Sequence, residues 1–169
     1  MKLLNSNTLL ILSALLLTST FIYGCDEDDY YMADLSTVPD PYEDTKTPIE
    51  TIEQENGLVI HIYEEGDGDF TVSDRDDVLV RYTGRLSNGD IFDSSWVDGN
   101  TAARNFNVQG VVRGFSEGLI GMREGTVMTL VIPAELGYGP QGRGGGPGFS
   151  EIPANSTLVF DIELVQVID

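Results

Sequence analysis

The sequence contains very little of what metal, redox and nucleic-acid chemistry require. It has a single cysteine, Cys25, and a single histidine, His61, which excludes an internal disulfide framework and argues against a structural zinc cluster. It has 9 basic residues against 28 acidic ones, and its formal net charge is −19. Proteins that track nucleic-acid phosphates need clustered lysine and arginine. We therefore expect a protein that uses no metal or other cofactor and binds no nucleic acid.

The sequence also lacks an apolar run long enough to span a bilayer. The apolar stretch Leu9–Leu17 follows a basic start at Lys2 and falls well short of the roughly 20 residues that a membrane-spanning helix needs. Residues 1–24 are therefore predicted to be a secretory signal peptide. The residues Ile22-Tyr23-Gly24-Cys25 resemble a bacterial lipobox, which implies lipidation of Cys25. The alternative is an ordinary signal peptide that precedes a free cysteine.

An acidic segment follows this cysteine. Residues 26–55 carry 11 acidic side chains against Lys46 alone, beginning with the run Asp26–Asp29. Such a segment repels itself and has too little apolar area to offset its ordering entropy. We interpret residues 25–56 as a lipidated cysteine with an acidic flexible tether, and residues 57–169 as the folded domain. The acidic run is either a solvated spacer or a sorting signal for lipoprotein transport.

The hydrophobic pattern after residue 57 is mainly that of strands. Alternating or continuous apolar positions occupy the segments 58–63, 77–83, 126–132 and 158–164. One segment, from Arg113 to Met122, has apolar residues at helical spacing. Asn88-Gly89 is typical of a tight hairpin turn. These patterns predict an α+β fold, in which one short helix covers the apolar face of a mostly antiparallel sheet.

Four motifs, in order along the chain, carry a resemblance to a known family. They are VRYTGRLSNGDIFDSS at residues 80–95, VVRGF at 111–115, LGYG at 136–139 and IPANSTLVFDIEL at 152–164. In order and spacing these motifs resemble the signatures of the FKBP-type peptidyl-prolyl cis/trans isomerases, over residues 57–167. The resemblance implies a twisted antiparallel sheet wrapped around one short helix. It also implies catalysis of rotation about X-Pro peptide bonds.

The chemistry of this rotation needs no reactive side chain. The barrier is about 18–20 kcal/mol because resonance gives the C–N bond partial double-bond character. A planar amide concentrates negative charge on its carbonyl oxygen, which water stabilises, whereas a twisted amide loses that charge separation. An apolar pocket therefore favours the twisted state without a nucleophile or a general acid or base. The sequence offers no Ser/His/Asp or Cys/His arrangement, in keeping with this mechanism.

The resemblance further implies a set of site residues. The catalytic candidates are Tyr82, Phe92, Asp93, Tyr138 and Phe160, and the substrate-binding candidates are Val111, Val112, Phe115 and Ile152. By this resemblance Phe115 forms the floor under the proline ring, the Tyr138 hydroxyl holds a substrate carbonyl, and Val112 offers its backbone N–H. Without the resemblance, the aromatic residues would be interpreted as ordinary core side chains.

Several positions depart from the family pattern. Phe115 stands where tryptophan is commonest, Leu136 stands where a tyrosine is frequent, and Arg104 lies near where some members carry another pocket aromatic. The segment 96–105 is irregular, so no role is assigned within it. The loop 141–151 is longer than in small family members. It is either a flexible surface loop or a mobile flap over the pocket.

Taken together, these features predict a lipid-anchored peptidyl-prolyl isomerase of the bacterial cell envelope, facing the periplasm or the cell surface. Its expected partners are proline-containing, unfolded or partly folded exported proteins, the membrane that holds its N-terminal lipid, and macrolide inhibitors. We expect a monomer. Two alternatives use the same fold with little turnover: a chaperone that grips proline-containing segments, and a surface interaction module.

Overall fold

The chain forms a single antiparallel sheet of seven strands, seen in a computed structural model that describes residues 31–168. The strands are β1 (Glu50–Glu53), β2 (Val59–Glu64), β3 (Asp77–Leu86), β4 (Ile91–Ser94), β5 (Arg104–Asn107), β6 (Val127–Ile132) and β7 (Leu158–Ile168), and the α-helices are α1 (Tyr42–Thr45) and α2 (Arg113–Leu119). The strand order is β1-β2-β6-β7-β3-β4, with β5 paired to β3. The predicted α+β fold is confirmed.

Helix α2 lies directly against β6. Two of its glycines permit this close approach, because a Cβ atom at Gly114 would lie 2.4 Å from Cγ2 of Ile132. A Cβ atom at Gly118 would likewise lie 2.6 Å from Cδ1 of Leu130. Larger residues at these two positions would push the helix off the sheet, so the glycines set how tightly the apolar face is covered.

The helix is shorter than its sequence pattern predicts. It ends at Leu119 rather than Met122, since the chain turns at Gly121, whose φ of +89° is in the left-handed region. Met122 still packs against the core, which explains why its spacing matched the helical pattern. Within residues 31–168, no helix is long and apolar enough to cross a membrane.

The register of β3 against β7 decides which side chains face the helix. Tyr82 is paired with Ile162, and Gly84 with Phe160. Directly opposed residues of antiparallel strands point to the same face of a sheet. Tyr82, Ile162 and Phe160 all belong to the buried core cluster. The four predicted strands correspond to β2, β3, β6 and β7, and the predicted hairpin at Asn88-Gly89 joins β3 to β4.

The described part of the predicted tether is folded, so the expected start of the domain at residue 57 is too late. Strand β1 pairs with β2, and its Ile52 packs against the core. In α1, Tyr42 meets Tyr63 with the ring centroids 5.7 Å apart. The acidic side chains of this segment remain exposed, so their charge does not oppose the backbone pairing. Residues 1–30, with the predicted signal peptide and Cys25, lie outside the described residues.

A buried ion pair holds the same segment on the other face of the sheet. Nη1 of Arg85 lies 2.6 Å from Oδ2 of Asp161, and both side chains are almost fully buried. Arg85 also donates to the Pro39 carbonyl at 2.5 Å. Asp161 in turn accepts a hydrogen bond of 2.6 Å from the Thr129 hydroxyl. The buried Arg85 side chain therefore links the chain around Pro39 to the sheet, and it is shielded from solvent that could replace this hydrogen bond.

Candidate active site

Aromatic side chains from four different elements meet in one cluster. Tyr82 comes from β3, Phe92 from β4, Phe115 from α2 and Phe160 from β7, and all four are buried. The ring of Phe160 lies 5.0 Å from that of Phe115 and 5.3 Å from that of Phe92, edge to face in both cases. Such pairs contribute about 0.5–1.5 kcal/mol each beyond the area they bury. The cluster is therefore a firmly held apolar wall.

Gly84 provides the space that this cluster needs. It lies opposite Phe160 in the sheet. A Cβ atom at Gly84 would lie 2.5 Å from Cε2 of Phe92 and 2.9 Å from Cε1 of Phe160. The glycine in the motif around residue 84 is thus required by the close approach of two rings.

The cluster lines a cavity of about 470 Å³, called here the aromatic cavity. Its walls are Tyr82, Phe92, Asp93, Phe106, Gly110, Val111, Val112, Phe115, Tyr138, Arg143 and Phe160. Every catalytic or substrate-binding residue predicted from the sequence lies here except Ile152. That residue is buried and lines a neighbouring cavity instead.

Phe106 is an aromatic wall that the sequence pattern did not indicate. Its ring lies 5.4 Å from that of Tyr82 and 6.2 Å from that of Phe115. Strand β5 is short, and Phe106 is its one half-buried residue. A strand with a single inward side chain has no alternation to detect. The one available signal was an aromatic residue within the segment.

Asp93 and Tyr82 form a polar edge of the aromatic cavity. Asp93 is half-buried and lines the cavity. Burial, and then the charge of the neighbouring Asp93 carboxylate, raises the pKa of Tyr82 above its ordinary value. The Tyr82 hydroxyl therefore keeps its proton across the whole neutral range, and it presents a donor beside an anionic acceptor.

The two serines that follow Asp93 hold the edge in place. Ser95 Oγ accepts a hydrogen bond from the Tyr82 N–H at 2.9 Å. Ser94 Oγ lies 3.0 Å from the Thr83 hydroxyl, and both serines are buried. These bonds fix the end of β4 on β3. The serines therefore position Asp93 and do not line the cavity themselves.

Val112 lies at the start of α2 and lines the cavity. Its carbonyl accepts from the Phe115 N–H at 3.0 Å, which begins the helix. In the described part of the chain, no acceptor is hydrogen-bonded to the Val112 N–H. A free backbone donor in an apolar wall is available to a bound molecule.

Arg143 holds the hydroxyl of Tyr138. Its Nη1 atom donates a hydrogen bond to the Tyr138 oxygen at 2.9 Å, and its guanidinium carbon lies 5.5 Å from the ring centroid. The tyrosine oxygen accepts this bond and keeps its own proton to donate. Sequence reasoning gave Arg143 no role. The available signal was one cation within a glycine-rich loop.

A second cavity, of about 420 Å³, adjoins the aromatic cavity. The two share Phe92, Asp93 and Arg143 as lining residues. We call the second one the adjoining cavity. Tyr31, from the segment predicted to be a tether, lines it together with residues of the loop 143–150.

The long glycine-rich loop is anchored at its base. Arg143 and Ile152 exchange two backbone hydrogen bonds of 2.8 and 2.7 Å. Further along, the Ser150 N–H donates to the Ile91 carbonyl of β4 at 2.9 Å. The loop thus forms a wall of the adjoining cavity, beside the aromatic cavity.

The chemistry open to the aromatic cavity follows from its walls. They combine apolar rings, hydrogen-bond donors at Tyr82, Tyr138, Arg143 and Val112, and one carboxylate at Asp93, with no serine or cysteine among them. This arrangement can bind an apolar ring and orient an amide without covalent chemistry. Among the described residues, no group of three or more His, Cys, Asp or Glu side chains is placed to hold a metal ion.

Known protein sequences are similar to this chain over the region that builds this site. The sequence model of the family described as FKBP-type peptidyl-prolyl cis-trans isomerase matches residues 68–165. The chain is 42% identical over 113 residues to a probable FKBP-type peptidyl-prolyl cis-trans isomerase of Haemophilus influenzae, covering 67% of this chain and 44% of that protein. It is 40% identical over 111 residues to a protein of Neisseria meningitidis serogroup B named FK506-binding protein, covering 66% of this chain and 96% of that protein.

A known structure shares the fold. The crystal structure of FkpA from Escherichia coli matches with a TM-score of 0.61 at 40% sequence identity, covering 75% of this chain and 55% of that one. The chain spans less than half the length of the Haemophilus relative, whereas it matches almost all of the Neisseria protein. The four sequence motifs lie within residues 68–165, the region that the family model matches, and the same region contains most of the sheet and helix α2. The chain belongs to the FKBP-type peptidyl-prolyl cis-trans isomerase family.

Proposed function

We propose that this chain catalyses cis/trans isomerisation of X-Pro peptide bonds, without a covalent intermediate and without a cofactor. The observation that carries the proposal is the aromatic cavity itself. Tyr82, Phe92, Phe115 and Phe160 enclose it with apolar surface, and its polar groups stand among those walls. A proline ring is small and apolar, and it buries favourably against such walls.

The catalytic step is a twist of the amide in surroundings that disfavour its planar form. The planar amide carries more negative charge on its carbonyl oxygen than the twisted amide does. The apolar walls exclude the water that would stabilise this negative charge, and the Asp93 carboxylate repels the charged carbonyl oxygen. Both effects raise the free energy of the planar ground state more than that of the twisted state, which is the condition for acceleration.

Two donors orient the substrate in this cavity. The Tyr138 hydroxyl, fixed by Arg143, donates to a carbonyl of the bound peptide, and the Val112 N–H donates to a second acceptor. These hydrogen bonds fix one side of the X-Pro bond in the cavity. The other side of the substrate can then rotate about that bond. Phe115 lies beneath the ring as the floor.

The site of action is also part of the proposal. Residues 1–24 have the pattern of a signal peptide, and Ile22-Tyr23-Gly24-Cys25 resembles a lipobox. We propose an enzyme tethered by lipid at Cys25 to a membrane of the bacterial envelope, acting there on exported proteins as they fold. Replacing Cys25 with Ser should move the protein from the membrane fraction to the soluble fraction. A Cys25→Ser variant that remains membrane-bound would contradict the lipid anchor.

The isomerase proposal is tested with the full-length protein and a series of X-Pro peptides, with and without a pocket-binding macrolide. We expect acceleration that the macrolide inhibits. Phe160→Ala and Asp93→Leu should each lower kcat/KM by about tenfold or more. Phe70→Ala is the matched control, because Phe70 is 50% exposed and lies outside the aromatic cavity.

Two outcomes would contradict the proposal. If Phe160→Ala and Asp93→Leu stayed folded by circular dichroism and kept the wild-type rate, the assigned cavity would be wrong. If the wild-type protein bound proline peptides without accelerating their rotation, the function would be that of a chaperone that grips proline-containing segments.

A further inference from the structure

The adjoining cavity differs from the aromatic cavity in its charge. Arg104 and Arg143 both line it, and Asp93 is its one lining carboxylate. The formal charge of its lining is therefore positive, in a chain whose net charge is −19. Positive charge concentrated beside a substrate site is suited to recognising a negatively charged group on the substrate.

The two arginines have donors to spare. Arg104 donates to the Ser94 carbonyl at 3.1 Å, and Arg143 donates to the Tyr138 hydroxyl at 2.9 Å. Each guanidinium has five N–H donors. Among residues 31–168, the ion pairs are made by other cations, namely Lys46, Arg81, Arg85 and Arg113. Neither arginine of the adjoining cavity is neutralised by a carboxylate of the described chain.

The adjoining cavity is also partly apolar, and it shares lining residues with the aromatic cavity. Phe149 and Val97 supply apolar surface, and Phe92 is common to both cavities. A peptide with its proline in the aromatic cavity can therefore continue past Phe92 and Asp93 into the adjoining cavity. An extended peptide advances about 3.3–3.6 Å per residue, so the residues next to the proline in sequence are the ones that meet this shared wall.

We propose that the adjoining cavity is a substrate subsite that selects proline-containing segments with a glutamate or aspartate within two residues of the proline. The inference rests on the proposed isomerase function and adds to it the chemical class of substrate. Arg104 and Arg143 receive the acidic side chain, and they are specificity-determining residues in this role. The methylene groups of that side chain lie along Phe149 and Val97.

The test compares three matched X-Pro peptides that carry Glu, Gln or Lys at the same position, with the position moved from two residues before the proline to two after it. The readouts are kcat/KM of the full-length protein and peptide affinity by fluorescence anisotropy. At the best position we expect Glu to exceed Gln by about fivefold and Lys to fall below Gln. Comparing Glu with Gln cancels general losses of activity, because each protein variant is its own reference.

Variants locate the effect. Arg104→Gln and Arg143→Gln should each bring the ratio of Glu to Gln towards one. Arg75→Gln is the matched control, because it changes the net charge by the same amount at an exposed position outside both cavities. It should leave the ratio unchanged, which separates a local contact from the long-range field of an acidic protein.

The inference is overturned if Glu shows no advantage over Gln at any position, or if Arg75→Gln lowers the ratio as much as Arg104→Gln does. A protein that accelerates none of the peptides but still binds the Glu peptide more tightly than the Gln peptide would refute the isomerase function and keep the subsite. Acceleration of all peptides without charge preference would keep the function and refute the subsite.

Discussion

Arg143 donates a hydrogen bond of 2.9 Å to the hydroxyl of Tyr138 while its guanidinium lies over the tyrosine ring. The arginine comes from the glycine-rich loop, and the tyrosine comes from one of the motifs that define the family resemblance. Their contact couples an extended loop of this chain to a residue of the aromatic cavity. It also leaves the tyrosine proton free for a substrate carbonyl.

This contact predicts that the two residues act as a unit. Tyr138→Phe removes the donor to substrate and should lower kcat/KM several-fold. Arg143→Ala should lower it less, and should have little further effect in the Tyr138→Phe background. The coupling energy in this double-mutant cycle should be about 0.5–1.5 kcal/mol, the net value of one hydrogen bond. Strictly additive effects would show that the contact does not serve the reaction.

Phe115 predicts how the floor of the aromatic cavity responds to a larger ring. Its side chain is 3% exposed, with the Phe160 ring 5.0 Å away. Phe115→Trp adds apolar area and an indole N–H, and should tighten binding of a pocket-binding macrolide about three- to tenfold. Overpacking should also lower the free energy of unfolding by about 1–3 kcal/mol. Calorimetric titration of the folded variant checks this, and unchanged or weaker binding would contradict it.

The close packing of the Phe92 and Phe160 rings around Gly84 predicts that a side chain at this position lowers the stability of the protein. Gly84→Ala places a Cβ atom 2.5 Å from Cε2 of Phe92, so one ring must move. The free energy of unfolding should fall by about 1–3 kcal/mol, and isomerisation should slow because the cavity changes shape. Gly144→Ala is the stability control, since its added Cβ meets nothing within 4 Å. Equal stability of the two variants in urea denaturation would refute the prediction.

Tyr42 predicts a loss of stability at alkaline pH. Burial, and next the charge of Asp161, raises the pKa of Tyr42 from 10.0 to about 12. Between these values the unfolded chain has released the proton while the folded chain holds it. The free energy of unfolding is therefore unaffected below pH 10 and falls as the pH rises through this window. Burial of Tyr63 and Tyr82 acts in the same direction.

Urea denaturation between about pH 9 and about pH 11.5 measures this dependence. In the Tyr42→Phe variant the free energy of unfolding should fall less steeply with pH, because up to one proton fewer is released on unfolding. Some decrease should remain, since the other tyrosines still titrate. A variant whose curve runs parallel to that of the wild type over the whole range would show that Tyr42 does not contribute.

Strands β2, β3, β6 and β7 and most of the site could be predicted from the sequence because their signals are local. Alternation marks β3 and β7, and the motifs specify Tyr82, Asp93 and Phe160 residue by residue. Ile152 is the exception among the predicted site residues, since it lines the adjoining cavity. Its position depends on its pairing with Arg143 across the glycine-rich loop, and no local pattern reports that pairing.

Other features could not be predicted because they depend on contacts distant in sequence. Composition marked residues 25–56 as a tether, but the pairing of β1 with β2 and the packing of Ile52 fold part of it. Phe106 lies in the short strand β5, and both of its neighbours along the chain are exposed. Arg143 could be assigned a role only once the fold placed it against Tyr138 and in the lining of both cavities.

The attachment of residues 31–33 to the wall of the adjoining cavity has a mechanical consequence. The Tyr31 hydroxyl is hydrogen-bonded to Asp98, and the Ala33 N–H reaches the Pro147 carbonyl at 3.4 Å. A pull on the chain from its N-terminal side would load these two contacts before it reached the Arg85 hydrogen bond to Pro39. Tension would therefore peel away one wall of the adjoining cavity while the aromatic cavity, built from the sheet and α2, stayed whole.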